Sequence, residues 1–196
     1  MALSERQRSP AVFIDKDGTL INDVPYNADT TKIRLMPGVA RGLKLLSESG
    51  LRLFVISNQP GIAMGLLDAS QLSHAYAFIV DLIAKEVTGN GKDFLHGFYY
   101  CPHLANACGC RKPAPGMLLR AAREHDLLLE QSWMIGDILD DVEAGHRAGC
   151  RSVLINNGNE TEWKQGALRE PDAVVTRFDE AALLIHRACH IHSHSH

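Results

Sequence analysis

The chain has 196 residues, 45% of them hydrophobic, and a formal net charge of −3. That length suits one domain with a sizeable core, and that charge leaves no global basic field for nucleic acid or an anionic membrane. No apolar stretch approaches the roughly 20 residues that span a bilayer, and Met1 to Pro10 is polar, with no signal-peptide apolar region, so a cytoplasmic location is the expectation. Residues 1–10 read as a flexible N-terminus and residues 11–185 as the folded domain.

Ala11-Val12-Phe13-Ile14 is a short, partly β-branched apolar run and predicts a buried parallel strand. It delivers Asp15-Lys16-Asp17-Gly18-Thr19-Leu20, two carboxylates just past a strand's C-terminal end, where open α/β sheets hold their ligands. Two acids there suit magnesium and acid/base work, although Asp and Gly also favour plain turns. Ile21 to Met36 is polar and irregular and reads as a mobile flap, too short for a cap domain. Pro37-Gly38 opens a helix with Val39, Leu43 and Leu46 on one face, ended by Gly50.

A second strand, Leu51 to Ile56, ends at Ser57-Asn58-Gln59. Asp68 is a candidate N-cap for a helix to about Val87, followed by a turn at Gly89-Asn90-Gly91. Phe94 to Tyr100 predicts a third strand, and Pro115 suits the first turn of a helix to about Asp126. Trp133-Met134-Ile135 is a fourth strand closed by Gly136-Asp137, with a short helix behind it ending at Gly149. Arg151 to Ile155 and Ala173 to Val175 are outer strands, and Asp179 to about Cys189 is a last helix. The alternation argues a doubly wound, mostly parallel sheet flanked by helices.

In such a sheet Asp15/Asp17, Ser57/Asn58 and Asp137 meet at one rim, and Arg111-Lys112-Pro113 joins them from a loop. Acids, a hydroxyl, an amide and two cations suit phosphoryl transfer. Mg²⁺ and the cations offset the phosphate's charge, one carboxylate attacks and another handles the leaving group's proton. Taken singly, Ser57 is an ordinary strand-end residue, Asp137 an N-cap, and Arg111/Lys112 a solvated basic pair. Their joint order is what sets them apart from such residues.

Asp-x-Asp-Gly-Thr, a strand-terminal Ser, a Lys on a later loop and Gly-Asp-x-x-x-Asp, spanning Asp15 to Asp141, resemble the four motifs of the haloacid-dehalogenase-like (HAD) phosphatases. The resemblance implies that Asp15 is the nucleophile and Asp17 the general acid, then base. It implies that Ser57 and Lys112 bind the phosphoryl oxygens. Mg²⁺ would sit on Asp15, the Asp17 backbone carbonyl and Asp137, with Asp141 behind it or orienting Lys112. Asp140 reads as a solvated helix-start acid.

Cys101-Pro102-His103 and Cys108-Gly109-Cys110 supply three sulfurs and one imidazole, a closed tetrahedral set for structural Zn²⁺ that would pin the loop leading to Arg111-Lys112. Either imidazole nitrogen can serve, and incidental loop cysteines are the bland alternative. Cys150 and Cys189 read as packing residues. Cys-x-His…Cys-x-Cys-Arg-Lys-Pro, Asn58-Gln59-Pro60-Gly61-Ile62-Ala63-Met64-Gly65 and Tyr99-Tyr100 resemble the capless sugar phosphatases that act on heptose 1,7-bisphosphate. That branch implies removal of the 7-phosphate from a small phosphorylated sugar, on the way to an activated heptose of lipopolysaccharide or surface glycans. It places Asn58, Gln59, Arg111 and Lys112 in the substrate pocket, with flap residues Asp23 to Asn27 beside them.

The short loop between His103 and Cys108 also resembles the histidinol-phosphate phosphatase domain, which is the competing substrate assignment. Ile138 stands where both branches often carry a basic residue. A zinc-stabilised binding module without catalysis, and a phosphomutase using the same aspartyl-phosphate, are the alternatives in other classes. The first lacks a basic face and the second a cap. A capless site with an open mouth suits a monomer, and five histidines from His186 to His196 read as a frayed, disordered end or a cloning remnant.

Overall fold

The computed structural model describes residues 8–87 and 94–192, with side chains through His190. Residues 1–7 of the expected flexible N-terminus, the turn at Gly89-Asn90-Gly91 and the last four residues lie outside that range. Six strands form one sheet, all parallel: β1 (Ala11–Asp15), β2 (Arg52–Asn58), β3 (Gly97–Cys101), β4 (Trp133–Gly136), β5 (Arg151–Ile155) and β6 (Ala173–Val175). Their order is β3-β2-β1-β4-β5-β6. Among the described residues four α-helices connect strands, α1 (Val39–Glu48), α2 (Ala69–Val87), α3 (Gly116–His125) and α4 (Leu139–Ala148), and a fifth, α5 (Phe178–His192), follows β6. Among the described residues there is no large cap. Among the described residues no helix is long and apolar enough to cross a membrane.

The continuous apolar character of β1 follows from burial on both faces, since side chains alternate along a strand. Val12 and Ile14 enter one core with Leu53, Val55, Ile135 and Val153, closed by Val39, Leu43 and Leu46 of α1, Ile79 and Ile83 of α2, and Ile185 of α5. Ala11 and Phe13 enter the other with Phe54, Ile56 and Met134, closed by Met117, Leu118 and Ala121 of α3 and Ala144 and Ala148 of α4. Each fully buried Phe, Leu or Ile contributes roughly 1.5–3 kcal/mol.

The register builds the functional rim. Ile14 pairs with Val55 on one side and Ile135 on the other. Asp15 therefore ends β1 level with Ile56 and Gly136, with Ser57 and Asp137 one residue further along. The chain winds outward in both directions from β1 and β4, and the crevice at their C-terminal ends is the switch point where open sheets bind ligands.

Several boundaries differ from the sequence reading. β2 continues through Ser57 and Asn58, because they pair with Tyr100 and Cys101. β3 begins at Gly97 and not Phe94, since the His96 ring Nδ1 takes the Leu53 N–H that a strand carbonyl would accept. The flap is tied at its base and is not a loose polar loop. Ile21 bridges Leu35, the Asn22 N–H donates to Arg34 O at 3.0 Å, and the Arg34 N–H returns to Asn22 Oδ1 at 2.8 Å. Ile33 is buried behind it, and Asp29 caps a one-turn 3-10 helix, Thr30–Lys32, that periodicity could not reveal. α5 runs to His192, so His186 and His190 are helical and not part of a frayed end; Ala188 and Cys189 pack on the core beside them.

Helix α4 lies so close to the sheet that a Cβ on Gly145 would stand 2.4 Å from Ser152 Oγ and 2.7 Å from Met134 Cβ. Gly145→Val should therefore lower unfolding free energy by about 2 kcal/mol or more. The midpoint of urea unfolding with an unchanged m-value checks this.

Candidate active site

Lys112 is the hub of the rim. Its ammonium is buried, donates to Asp15 Oδ1 and to the Ile56 carbonyl (3.2 Å), and stands 2.6 Å from Asp141 Oδ1. Asp15 arrives on β1, Asp141 on the first turn of α4, and Asp137 on the turn between β4 and α4. One oxygen from each of Asp15, Asp137 and Asp141 lies within 4.8 Å of the others. Asp17 is set apart. Its carboxylate accepts from Lys16 Nζ at 2.7 Å and from Gln59 Nε2 at 2.8 Å, and stays partly exposed.

Burial raises the Asp15 carboxyl well above its ordinary pKa, and Asp141, Asp137 and Asp17 push it further, against the pull of Lys112. Burial and then Asp141 raise Asp137 to about 6, although Asn159 and Thr19 donate to it. Lys112 is held above the ordinary lysine value by Asp141 and Asp15, which overcome the opposing effect of burial. Ionised, this group carries two net negative charges in a buried space, so its electrostatics call for a cation. The donors are hard carboxylate oxygens, which fit Mg²⁺.

Three side chains that hold this geometry were not singled out from the sequence. Thr19 Oγ1 donates to Asp137 Oδ1 at 3.1 Å, Asn159 Nδ2 to Asp137 Oδ2 at 2.6 Å, and Asn157 Nδ2 to the Gly18 carbonyl at 2.7 Å. The signal was the Asn156-Asn157-Gly158-Asn159 cluster directly after a buried strand, on the same rim. Gly18 is required here. Its φ is +87°, and a Cβ would lie 2.1 Å from Asp137 Oδ2.

Ser57 is buried at the end of β2 and accepts from Gln59 Nε2 at 2.7 Å, so Gln59 bridges Ser57 and Asp17. Asn58, expected in the substrate pocket, instead spends both ends of its amide on Lys112: Nδ2 donates to the Lys112 carbonyl and Oδ1 accepts its N–H, each at 3.0 Å. Arg111 turns toward the cysteine loop and donates to the His103 carbonyl at 3.2 Å. Asp140, expected in solvent, pairs with Arg169 at 3.0 Å. Ile138 serves as the N-cap residue of α4.

The four donors of the loop converge. Cys101, Cys108 and Cys110 have Sγ atoms 3.1–3.4 Å apart without forming a disulfide, and His103 turns Nδ1 to within 3.5 Å of Cys101 and 3.4 Å of Cys110. Three sulfurs and one imidazole nitrogen closing on a common point suit Zn²⁺ with no open position. The loop is anchored to the sheet because Cys101 ends β3 and its carbonyl accepts the Gln59 N–H at 2.7 Å.

Two measurements check this site. A carboxyl whose folded pKa exceeds its unfolded value binds more protons when folded, so its contribution is complete at acid pH and is lost as pH rises through the folded pKa. For Asp137 the window runs from about 4 to about 6 and amounts to roughly 3 kcal/mol. Urea unfolding of zinc-loaded, magnesium-free protein should show wild type losing stability from pH 5 to 7.5 relative to Asp137→Asn. Added Mg²⁺ should restore wild type alone. Separately, metal analysis should find about one zinc per chain in wild type and little in Cys108→Ser.

Comparison with known proteins identifies the family. The HAD-hydrolase-like family model matches residues 109–181. The chain is 37% identical over 172 residues to D-glycero-beta-D-manno-heptose-1,7-bisphosphate 7-phosphatase of Photorhabdus laumondii, covering 82% of this chain and 89% of the relative. It is 30% identical to the protein of the same name from Yersinia pestis, covering 88% and 98%. The structure of D,D-heptose 1,7-bisphosphate phosphatase from B. bronchiseptica, complexed with magnesium and phosphate, superposes with a TM-score of 0.79 at 26% identity, covering 91% of this chain and 99% of that one. A shared fold and identity of 30% or more across most of both chains lead to one conclusion: the chain belongs to the HAD-like phosphatases and is a phosphoric monoester hydrolase.

Proposed function

We propose that this chain removes the 7-phosphate of D-glycero-D-manno-heptose 1,7-bisphosphate through an aspartyl-phosphate on Asp15. The observation that carries the reading is the buried Lys112 ammonium on Asp15, with Asp17 held two residues away by Gln59. In the first step an Asp15 carboxylate oxygen bonds to phosphorus and the phosphorus–oxygen bond to the sugar C7 oxygen breaks. Asp17, as the acid, gives that oxygen its proton. In the second step Asp17 takes a proton from water, the resulting hydroxide attacks phosphorus, and Asp15 leaves as a carboxylate.

Lys112 and Ser57 are assigned to the phosphoryl oxygens, where a buried ammonium acts more strongly than it would in water. Asp15, the Asp17 carbonyl and Asp137 would hold Mg²⁺, which neutralises phosphoryl charge when bound. Asp141 orients Lys112, and Asn58 fixes the Lys112 peptide. Gln59 and Arg111 complete the pocket wall.

The sugar end is assigned to a groove of about 650 Å³ between the flap and α2, walled by Tyr26, Asn27, Leu66, Ser70, Gln71 and His74. Both walls follow directly from the rim, the flap from Asp17 and α2 from the loop after Gln59. Its mixture of amide, hydroxyl and imidazole groups over apolar carbon suits a polyhydroxylated chain. The product of this step would feed an activated heptose for lipopolysaccharide or surface glycans.

Phosphate release from a substrate panel tests the reading. Heptose 1,7-bisphosphate should turn over fastest, and faster turnover of histidinol phosphate would overturn the substrate assignment. Asp15→Asn should lower kcat at least about a thousandfold in protein that still folds, as circular dichroism reads it; turnover near wild type would remove Asp15 as nucleophile.

A further inference from the structure

We propose that His186 and His190 form a binding site for a divalent transition metal, at the end of the sheet opposite the catalytic rim. The two residues are one turn apart on α5, the i, i+4 spacing that puts two imidazoles on one helical face and serves as a metal pair elsewhere. Their ring centroids are 4.2 Å apart, with the planes tilted by 50°. Two nitrogens sharing a tetrahedral ion, each about 2.1 Å from it, lie roughly 3.4 Å apart. Rings at this separation reach that spacing with only side-chain rotation.

The hydrogen bonding of Ser49 prepares one of these ligands. The Ser49 hydroxyl donates its single proton to the Leu45 carbonyl at 2.7 Å. Toward His186 Nδ1, 2.8 Å away, it can therefore only accept. His186 carries its proton on Nδ1, and the lone pair stands on Nε2. A ring nitrogen that donates to a neighbour while the other binds the ion is the usual second-sphere arrangement of metal-bound histidine. His186 is half-buried and fixed by this contact, whereas His190 is exposed and free to swing onto a shared ion.

Imidazole donors without a thiolate select borderline ions such as Ni²⁺, Cu²⁺ and Zn²⁺, not Mg²⁺. The place is independent of the chemistry already described. Helix α1 leads from the flap at the rim back to the start of β2, and Ser49 lies three residues before that strand. Neither histidine is part of the phosphate-handling machinery.

The test is a calorimetric titration of the full, zinc-loaded chain with Ni²⁺. Wild type should take up Ni²⁺ beyond its zinc content. His186→Gln and His190→Gln should each weaken Ni²⁺ binding at least about tenfold, with zinc content and magnesium-dependent phosphate release unchanged. Ser49→Ala should weaken it by about tenfold, because it removes only the partner of Nδ1. Ni²⁺ affinity equal to wild type in both histidine variants would overturn the site, as would the absence of Ni²⁺ uptake by wild type.

Discussion

The contact on which the rest depends is the buried ammonium of Lys112 between two aspartates. One cation removed from water is costly, and so are three carboxylates. Together they leave a deficit of positive charge at one point of the rim, which suits a divalent ion and a phosphoryl group arriving together. The raised carboxyls of Asp15 and Asp137 express the same imbalance. A core of apolar side chains would be more stable, and the sheet carries the strain of this polar knot because β1, β2 and β4 hold its backbone on three sides.

Lys112 does not belong to the sheet, so something must bring it there. Two structures do so. Asn58, at the end of β2, grips the Lys112 peptide through both ends of its amide. The cysteine loop, rooted at the end of β3, brings the chain to that point over a short span whose residues 103–107 are exposed. A bound zinc would contribute folding energy to such a loop directly. The cysteine cluster and Lys112 are neighbours in sequence, so ordering the one places the other.

Much of this was legible from the residues in order. The apolar runs gave β1 and β4 nearly residue for residue, because a strand buried on both faces has no polar interruptions; β5 and β6 were bounded correctly too, although β5 opens with Arg151-Ser152 and Val174 of the edge strand β6 is exposed. Helix starts were readable at Gly38, Asp68 and Pro115 for local reasons of turn geometry and capping. The four cysteine-loop ligands were readable because their spacing is short. What failed to show was what depends on three-dimensional partners. Nothing near Asn58 says that its amide will meet the backbone of residue 112, and nothing near Asn159 says that it will meet Asp137. Asp140 and Asp141 are adjacent acids of equal composition. Only the helix direction sends one to Arg169 and the other to Lys112. The third side-chain member of the acidic trio is accordingly Asp141, while Asp17 keeps its carboxylate free of the knot.

The flap closes on itself before it reaches the groove. Its two ends are stitched together at Ile21, Asn22, Arg34 and Leu35, and the residues between them contribute Tyr26 and Asn27 to the groove wall. On the proposed assignment of the groove, the tip of the flap meets the sugar while its stitched base holds the turn after Asp17, so descendants of this scaffold can exchange tip residues and acquire a new appetite while their chemistry stays constant.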